Sequence, residues 1–411
     1  MNESNKGMKK EDVMSFDIAL SGLDATNVQL NTISNNIANV STSGFKESRT
    51  EFSAVYNGMQ AGGVEVAAIS QNFDKTGSIT GTGRPLDLAI SGSGFFVTKD
   101  HTGQTLYTRS GVFGSDKDNN IVSNNGAKLQ GYTVDANNNL QAGAVGNLKI
   151  TTASLPAKAT DELAFVANLD ARSSVIDPAI NPFDPNSTDS FNSSYTSKVY
   201  DSLGNPHTVT QYFTKTNANE WQVNVVVDGA ATPSQTQNVV FNTDGTLQSP
   251  TAPFAVNFNP AGADAANINI DIAGTTQFGA DFGVSTNAPN GYTSGELAGV
   301  RVEDNGMVFA TYTNGQSQLQ GQVMLADFAN PQGLVKTNGT SWIQSFSSGA
   351  PVNGAPGTGT LGGLVAGALE GSNVDLTSEL VSLMTAQRNY QANAKTISTS
   401  DKLTQSLFNA V

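Results

Sequence analysis

Helical periodicity occurs at the two ends of this chain and nowhere between them. Near the N-terminus Phe16, Leu20, Leu23, Asn27, Leu30, Ser34 and Ile37 recur at alternating spacings of four and three, with Ala19 and Ile33 widening the stripe. Ser15 is placed to cap this helix, and Asp17 would complement the dipole of its first turn. Near the C-terminus Leu376, Leu380, Leu383, Gln387, Tyr390, Ala394 and Ile397 repeat the pattern, with Asn373 or Asp375 as the cap. Leu403 and Leu407 then fall out of register, as in a stutter. Residues 374–410 read as one helix of roughly 55 Å at about 1.5 Å per residue. An isolated amphipathic helix is marginal in water, so each stripe needs a partner. It can pack on a globular core as a surface helix. Alternatively, the two can pair as a coiled coil, with each other and with copies from neighbouring chains. Asn27, Ser34 and Gln387 would weaken a self-sufficient dimer and fit a helix completed only inside an assembly.

The middle, roughly 60–370, is β in character. Gly is frequent, with 41 residues, and Asn, Thr and Ser runs separate short apolar alternations. Val300 to Asp304 and Met307 to Tyr312 flank Asn305-Gly306, a two-residue hairpin signal, and Asn314-Gly315 turns the chain again. Trp221, Val223, Val225 and Val227 alternate and end at Asp228-Gly229. Residues 171–196 read as a long surface loop and Gly349 to Gly363 as a linker. Phe95, Phe96, Tyr107, Phe113 and Tyr132 are expected in one β core, and Trp221 and Trp342 are expected to be buried.

Several kinds of chemistry are disfavoured or excluded. A net charge of −14 argues against a nucleic-acid partner, which needs a basic face. With no cysteine there is no disulfide, thiolate zinc ligand or thiol nucleophile. The histidines are His101 and His207 only, and no nucleophile elbow surrounds Ser110. Asp116, Asp118 and Asn120 have the spacing of a calcium loop, but Ile121 stands where its glycine belongs and Ala127 where its glutamate belongs. Gly81-Thr-Gly83 and Gly92-Ser-Gly94 lack the lysine and helix of a phosphate loop. No catalytic, cofactor or metal residue is assigned, and no small-molecule substrate is expected. No apolar stretch approaches the ~18–20 residues that span a bilayer. Residues 1–13 form a polar leader without the apolar region of a secretory signal, with Met14 a candidate start.

The run Leu30 to Asn39, which contains Asn35, Asn36, Ile37 and Asn39, is followed by Ser43, Gly44, Phe45 and Lys46. Together they resemble the N-terminal signature of flagellar rod and hook proteins. Ala386 to Asn393, with Gln387, Arg388, Asn389 and Tyr390, is similar to the C-terminal signature of that family. Leu86 to Ile90, Gly94-Phe95-Phe96, Thr108 to Phe113 and Gly126 to Tyr132 resemble its first β domain. Tyr200 to Gly204 resembles a segment of hook subunits, and Gly371 to Val374 leads into the last helix as in the family. The additional region near 159–297 points to hook over the shorter distal rod subunits.

The resemblance implies a mostly β fold with helical termini. Residues 14–40 and 371–411 would form a coiled-coil inner tube on assembly. Residues 41–84 would be an extended connector. Residues 85–158 and 298–370 would make an inner β domain, and 159–297 an outer inserted one. It implies a non-enzymatic, self-assembling extracellular subunit of a flexible hollow tube, joining rod to filament and transmitting torque. Its partners would be further copies, the rod, the hook cap, the hook–filament junction proteins and the type III export apparatus. Phe16 and Leu20 fit a Phe-x-x-x-aliphatic export-gate motif. The expected subunit interface is Phe16, Leu20, Leu23, Leu30, Ile33, Ile37, Leu376, Leu380, Leu383, Tyr390 and Ile397. A rod or junction protein, or a secreted β-rich adhesin, are the competing readings.

Overall fold

The computed structural model describes residues 4–57 and 60–409. Two long helices, α1 (Ser4–Ala38) and α2 (Leu376–Asn409), bracket a chain that is otherwise strand and turn. Helix α1 begins well before the expected cap, so Ser15 lies inside the helix and not at its start. Asp375, not Asn373, caps α2: its carboxylate accepts the Ser378 N–H at 3.0 Å. The offset of Leu403 does not interrupt α2, which runs on to Asn409. Among the described residues, no helix is long and apolar enough to cross a membrane.

The chain divides into two compact units. The first comprises Met1–Thr152, Gly299–Thr311 and Ser317–Val411. After α1 the chain does not run on as an extended connector. It folds into a long antiparallel hairpin, β1 (Ser48–Asn57) and β2 (Gln60–Gln71), with register shifts at Glu51/Phe52 and Val55/Tyr56. Val64 and Val66 on β2 cross from Ala54 and Phe52 on β1. The β-branched alternation that reads as open chain in isolation is therefore one ladder. A larger sheet follows. Its path runs Met307–Tyr312, Ser317–Val323, Lys128–Val134, Phe95–Lys99, Thr105–Thr108, Ser341–Ile343 and Val335–Thr337. Gly306 and Gly315 take the positive φ their turns require. The supposed linker contains a strand, Val352–Gly354, paired with Leu325–Asp327. Phe95, Tyr107, Phe328 and Trp342 pack edge to face in the core of this sheet.

The second unit comprises Ala153–Ala298 and Tyr312–Gln316. One sheet is an antiparallel meander from Ser193–Tyr200 through Pro206–Asn217, Glu220–Val227 and Gln235–Phe241 to Leu247–Ser249. The expected loop 171–196 thus ends early, because Ser193 already pairs with Phe213. The other sheet is mixed. Glu162–Asp170 lies parallel to Ala266–Asp271 and antiparallel to Gly283–Pro289. The inner faces share one apolar cluster, with Phe165, Phe213, Trp221, Val225, Val256 and Ile268 almost wholly buried. This is sandwich packing, in which alternate residues of both sheets fill the core. The Trp221 indole N–H donates to Gln277 Oε1 at 2.6 Å, so even its polar atom is satisfied.

Candidate functional site: the paired helices and their buried anchor

The two termini meet within the first unit, α1 against α2. A Cβ built on Gly22 would stand 2.7 Å from Asn393 Nδ2. Asn36 Nδ2 donates to Glu379 Oε1 at 3.0 Å. From Gly22 to Asn36 is fourteen residues forward (36 − 22), and from Asn393 to Glu379 is fourteen backward (393 − 379). The helices therefore run antiparallel. The buried residues of α1 are mostly small: Ala19, Gly22, Ala25 and Thr26, then Ile33 and Asn36. Their spacing of three and four is a heptad seam, displaced by about one residue from the large aliphatic stripe seen in the sequence. On α2 the buried positions among the described residues are Glu379 and Ala386. Small residues let the backbones approach closely, and the bulky ones are displaced sideways.

The flank of α1 is stitched to the hairpin by polar groups. Ser48 N donates to Asn36 Oδ1 at 3.0 Å, and Asn36 Nδ2 returns a bond to Ser48 O at 2.8 Å. Thr50 and Thr32 hydroxyls lie 3.1 Å apart, and Val64 N donates to Ser21 Oγ at 3.2 Å. Gly63, at φ 111, leaves no room for a Cβ beside Ser21. Glu379 Oε2 is buried without a partner. Burial, with Glu47 nearby, raises the pKa of this carboxyl, against the opposing bond from Asn36.

Beneath the helices lies a buried ionic knot. Lys46 Nζ meets Glu370 Oε1 at 2.8 Å and also donates to Lys75 O at 2.9 Å. Arg109 Nη1 reaches Glu370 Oε2 at 3.3 Å, with the guanidinium over the Phe95 ring. The Lys46 and Glu370 side chains are 0% exposed and that of Arg109 is 3% exposed, so all three charged groups are withdrawn from water. Burial pulls the Lys46 ammonium below its usual range; Glu370 opposes this and Arg109 adds to it. Gly77 N donates to Glu370 Oε1 and Gly44 N to Glu370 O. Gly44, at φ 71, sits 2.3 Å, measured from a virtual Cβ, from Ser110 N. Only glycine fits there. Asn373, freed from capping, accepts Glu47 N at 2.7 Å and donates to Asn72 O and Lys75 O. Chain entering from α1, chain returning to α2 and the first β domain are thereby locked at one point.

The predicted site residues fall into three groups by burial. Asn36, Gly44 and Lys46 are buried structural anchors, Ile33 is buried in the intrachain seam, and Asn39 closes the end of α1 through Thr42. Leu23, Leu30, Ile37, Phe45, Leu383 and Ile397 are half-buried. Phe16, Leu20, Leu376, Leu380 and Tyr390 are 38–46% exposed although they are large apolar groups of the stripe. Asn35, Gln387, Arg388 and Asn389 are exposed too. Sequence reasoning missed Glu370, Glu379 and Arg109 as anchors, and Val381 and Met384 as exposed apolar neighbours of Leu380. Two isolated acids give no periodic signal. Val381 and Met384 fall outside the four-and-three stripe read from the sequence.

The calcium-like segment is a turn. Asp116 Oδ1 accepts the N–H groups of Asp118 and Asn120, each at 2.8 Å, closing the hairpin between Phe113–Ser115 and Ile121–Ser123.

Comparison with known proteins covers nearly the whole chain. Residues 16–46 match the family described as flagella basal body rod protein, and residues 89–162 the flagellar hook protein FlgE/F/G D1 domain. Residues 168–292 match the flagellar basal body protein FlaE D2 domain, and 365–410 the flagellar basal body rod FlgEFG protein C-terminal family. The chain is 39% identical over 409 residues to the flagellar hook protein FlgE of Escherichia coli strain K12, covering 96% of this chain and 100% of that one. It is 40% identical over 405 residues to that of Salmonella typhimurium, with the same coverage. It is 31% identical to that of Borreliella burgdorferi, covering 94% and 97%. A crystal structure of Helicobacter pylori flagellar hook protein FlgE2 shares the fold with a TM-score of 0.54 at 14% identity, over 69% of this chain and 98% of that one.

Proposed function

The chain belongs to the flagellar hook protein family, and from that premise we propose how its geometry builds a hook. The protein is a structural subunit of the bacterial flagellar hook, the flexible hollow tube that links the basal-body rod to the filament and passes torque between them. Copies join through the apolar stripe left outside the α1–α2 pair. Phe16, Leu20, Leu23, Leu30 and Ile37 on α1, with Leu376, Leu380, Leu383, Tyr390 and Ile397 on α2, meet equivalent helices of neighbouring copies around a central channel. One observation carries this reading: the helices spend their small residues on each other and keep large apolar side chains half in water. An intrachain helix pair that had finished folding would bury the large ones. The exposed signature Gln387, Arg388, Asn389 and Tyr390 fits contacts between copies.

Contacts between copies are head-to-tail and non-closing, which generates a helix and not a ring. The terminal helices carry axial connectivity, and the β units provide lateral contacts that shift as the tube bends. The rod at one end, and the cap and junction proteins at the other, are the remaining partners. The chain leaves the cell unfolded through the type III export channel, with Phe16 and Leu20 presented for docking. Electron microscopy of material purified from cells carrying this chain as their hook gene tests the reading. Curved hollow tubes between rod and filament are expected; rods without such tubes would refute it.

A further inference from the structure

Phe346 is 102% exposed, a whole aromatic ring in water. The turn that carries it is held from several directions. Ser345 Oγ donates to Gly333 O and accepts Ser347 N at 3.0 Å. Ser348 Oγ donates to Ser345 O at 2.9 Å and accepts Ser345 N at 3.0 Å. Asn330 Nδ2 donates to Ser347 O at 2.9 Å. A virtual Cβ on Gly333 falls 2.4 Å from the Ser347–Ser348 peptide, so the two loops are in direct backbone contact. The ring is not exposed because its loop is loose. It is offered on a backbone whose ordering cost has already been met, as in a preorganised anchor.

The same chain holds a hollow that suits such a ring. A groove of about 260 Å³ lies between α1, α2 and the hairpin. It is lined by Gly22, Ala25, Gln29, Phe52, Ala392 and Asn393 among others, with small residues underneath and the half-exposed Phe52 ring on its wall. An entering phenyl group would find an aromatic partner at the edge. Neither surface carries a charge: Gln344 to Gly349 has none, and neither does any lining residue of the groove. Two copies that each carry −14 can therefore meet here without setting like charges together.

We propose that Phe346 of one copy inserts into the α1–α2–hairpin groove of a second copy. Knob and hole lie on different elements, so the contact is heterologous and propagates as a filament. The inference rests on the hook reading and goes beyond it by naming a contact outside the helical stripe.

The absence of cysteine makes the test clean. The full chain is produced as Phe346→Cys, Ala392→Cys and the two together, and tubes from cells making each are oxidised. The double variant should give chain-to-chain disulfides within the tubes, and each single variant should not. Phe346→Ala should raise the critical concentration for polymerisation by roughly five- to thirty-fold, with monomer melting unchanged and Phe346→Trp restoring assembly. Tubes from the double variant without that crosslink, or crosslinking in Phe346→Cys alone, would overturn the contact and leave the hook reading intact. If the unaltered chain makes no tubes, both fall together.

Discussion

The inserted β unit and the helical ends solve the burial problem in opposite ways. In the β unit, Phe165, Phe213, Trp221 and Val256 point inward from two sheets and close over one another. In the helix pair, Ala19, Gly22, Ala25 and Ala386 take the interior while Leu376, Leu380, Val381 and Met384 remain exposed. A Leu or Phe side chain gains about 1.5–3 kcal/mol on full burial, so the pair forgoes most of what its composition could supply. The β unit is thus a finished domain. The helix pair leaves large apolar side chains in water and is held in shape by the ionic knot and the Asn36 stitches. Unfolding of the isolated chain should accordingly show more than one transition.

Breaking the knot should have the largest effect. Glu370→Ala leaves Lys46 and Arg109 buried without their carboxylate, and losing one partner of a buried pair costs about 3–5 kcal/mol. Thermal unfolding followed by calorimetry should show the transition of the first unit collapse while that of the inserted unit stays in place. The mirror experiment is Trp221→Ala, which opens a cavity and strands Gln277, at about 3–5 kcal/mol. It should shift only the transition of the inserted unit. If either variant moves both transitions equally, the division into separately stabilised regions is wrong.

Asn36→Ala is smaller and more local. It removes two donated bonds and one accepted bond at a buried site, worth about 1–3 kcal/mol. Hydrogen exchange should accelerate across the first turns of α2 and along β1, with no change in the inserted unit. Glu379→Gln should have the smallest effect, and its sign is fixed. A carboxyl whose folded pKa is raised contributes stability at low pH that is lost as pH rises through that folded value. Protection of α2 in the unaltered chain should therefore increase on acidification from neutral pH toward about 4.3, the usual Glu value. The Gln variant should be flat over that window. A flat profile in the unaltered chain would mean that Glu379 is not desolvated as its position indicates.

Much of this was legible from sequence. Two stripes at the ends, Asn-Gly turns and the Trp221 alternation all express local periodicity, and the structure keeps them. What was not legible depends on non-local geometry. The large apolar residues mark one stripe on each helix, but which stripe faces the partner helix is decided by how closely backbones approach. Gly22 and Ala386 decide it, and neither has a large apolar side chain to mark the seam. The extended connector that the resemblance implies for 41–84 is instead a ladder, which only pairing reveals. Lys46 and Glu370 lie 324 positions apart, so no window contains both.

The central claim is that the outward stripe of α2 is kept for neighbouring copies. Leu380 tests it more sharply than Leu383, which is already half-buried in its own chain. The measurement is tube formation by the Leu380→Asp chain, scored by electron microscopy of basal bodies, on protein whose monomer melts with the unaltered chain. A charge placed in an apolar seam costs far more than local adjustment can recover, so cells should carry rods without hooks. Hooks of ordinary length and curvature built from Leu380→Asp would contradict the account, because the stripe would then face water in the tube as it does in the single chain.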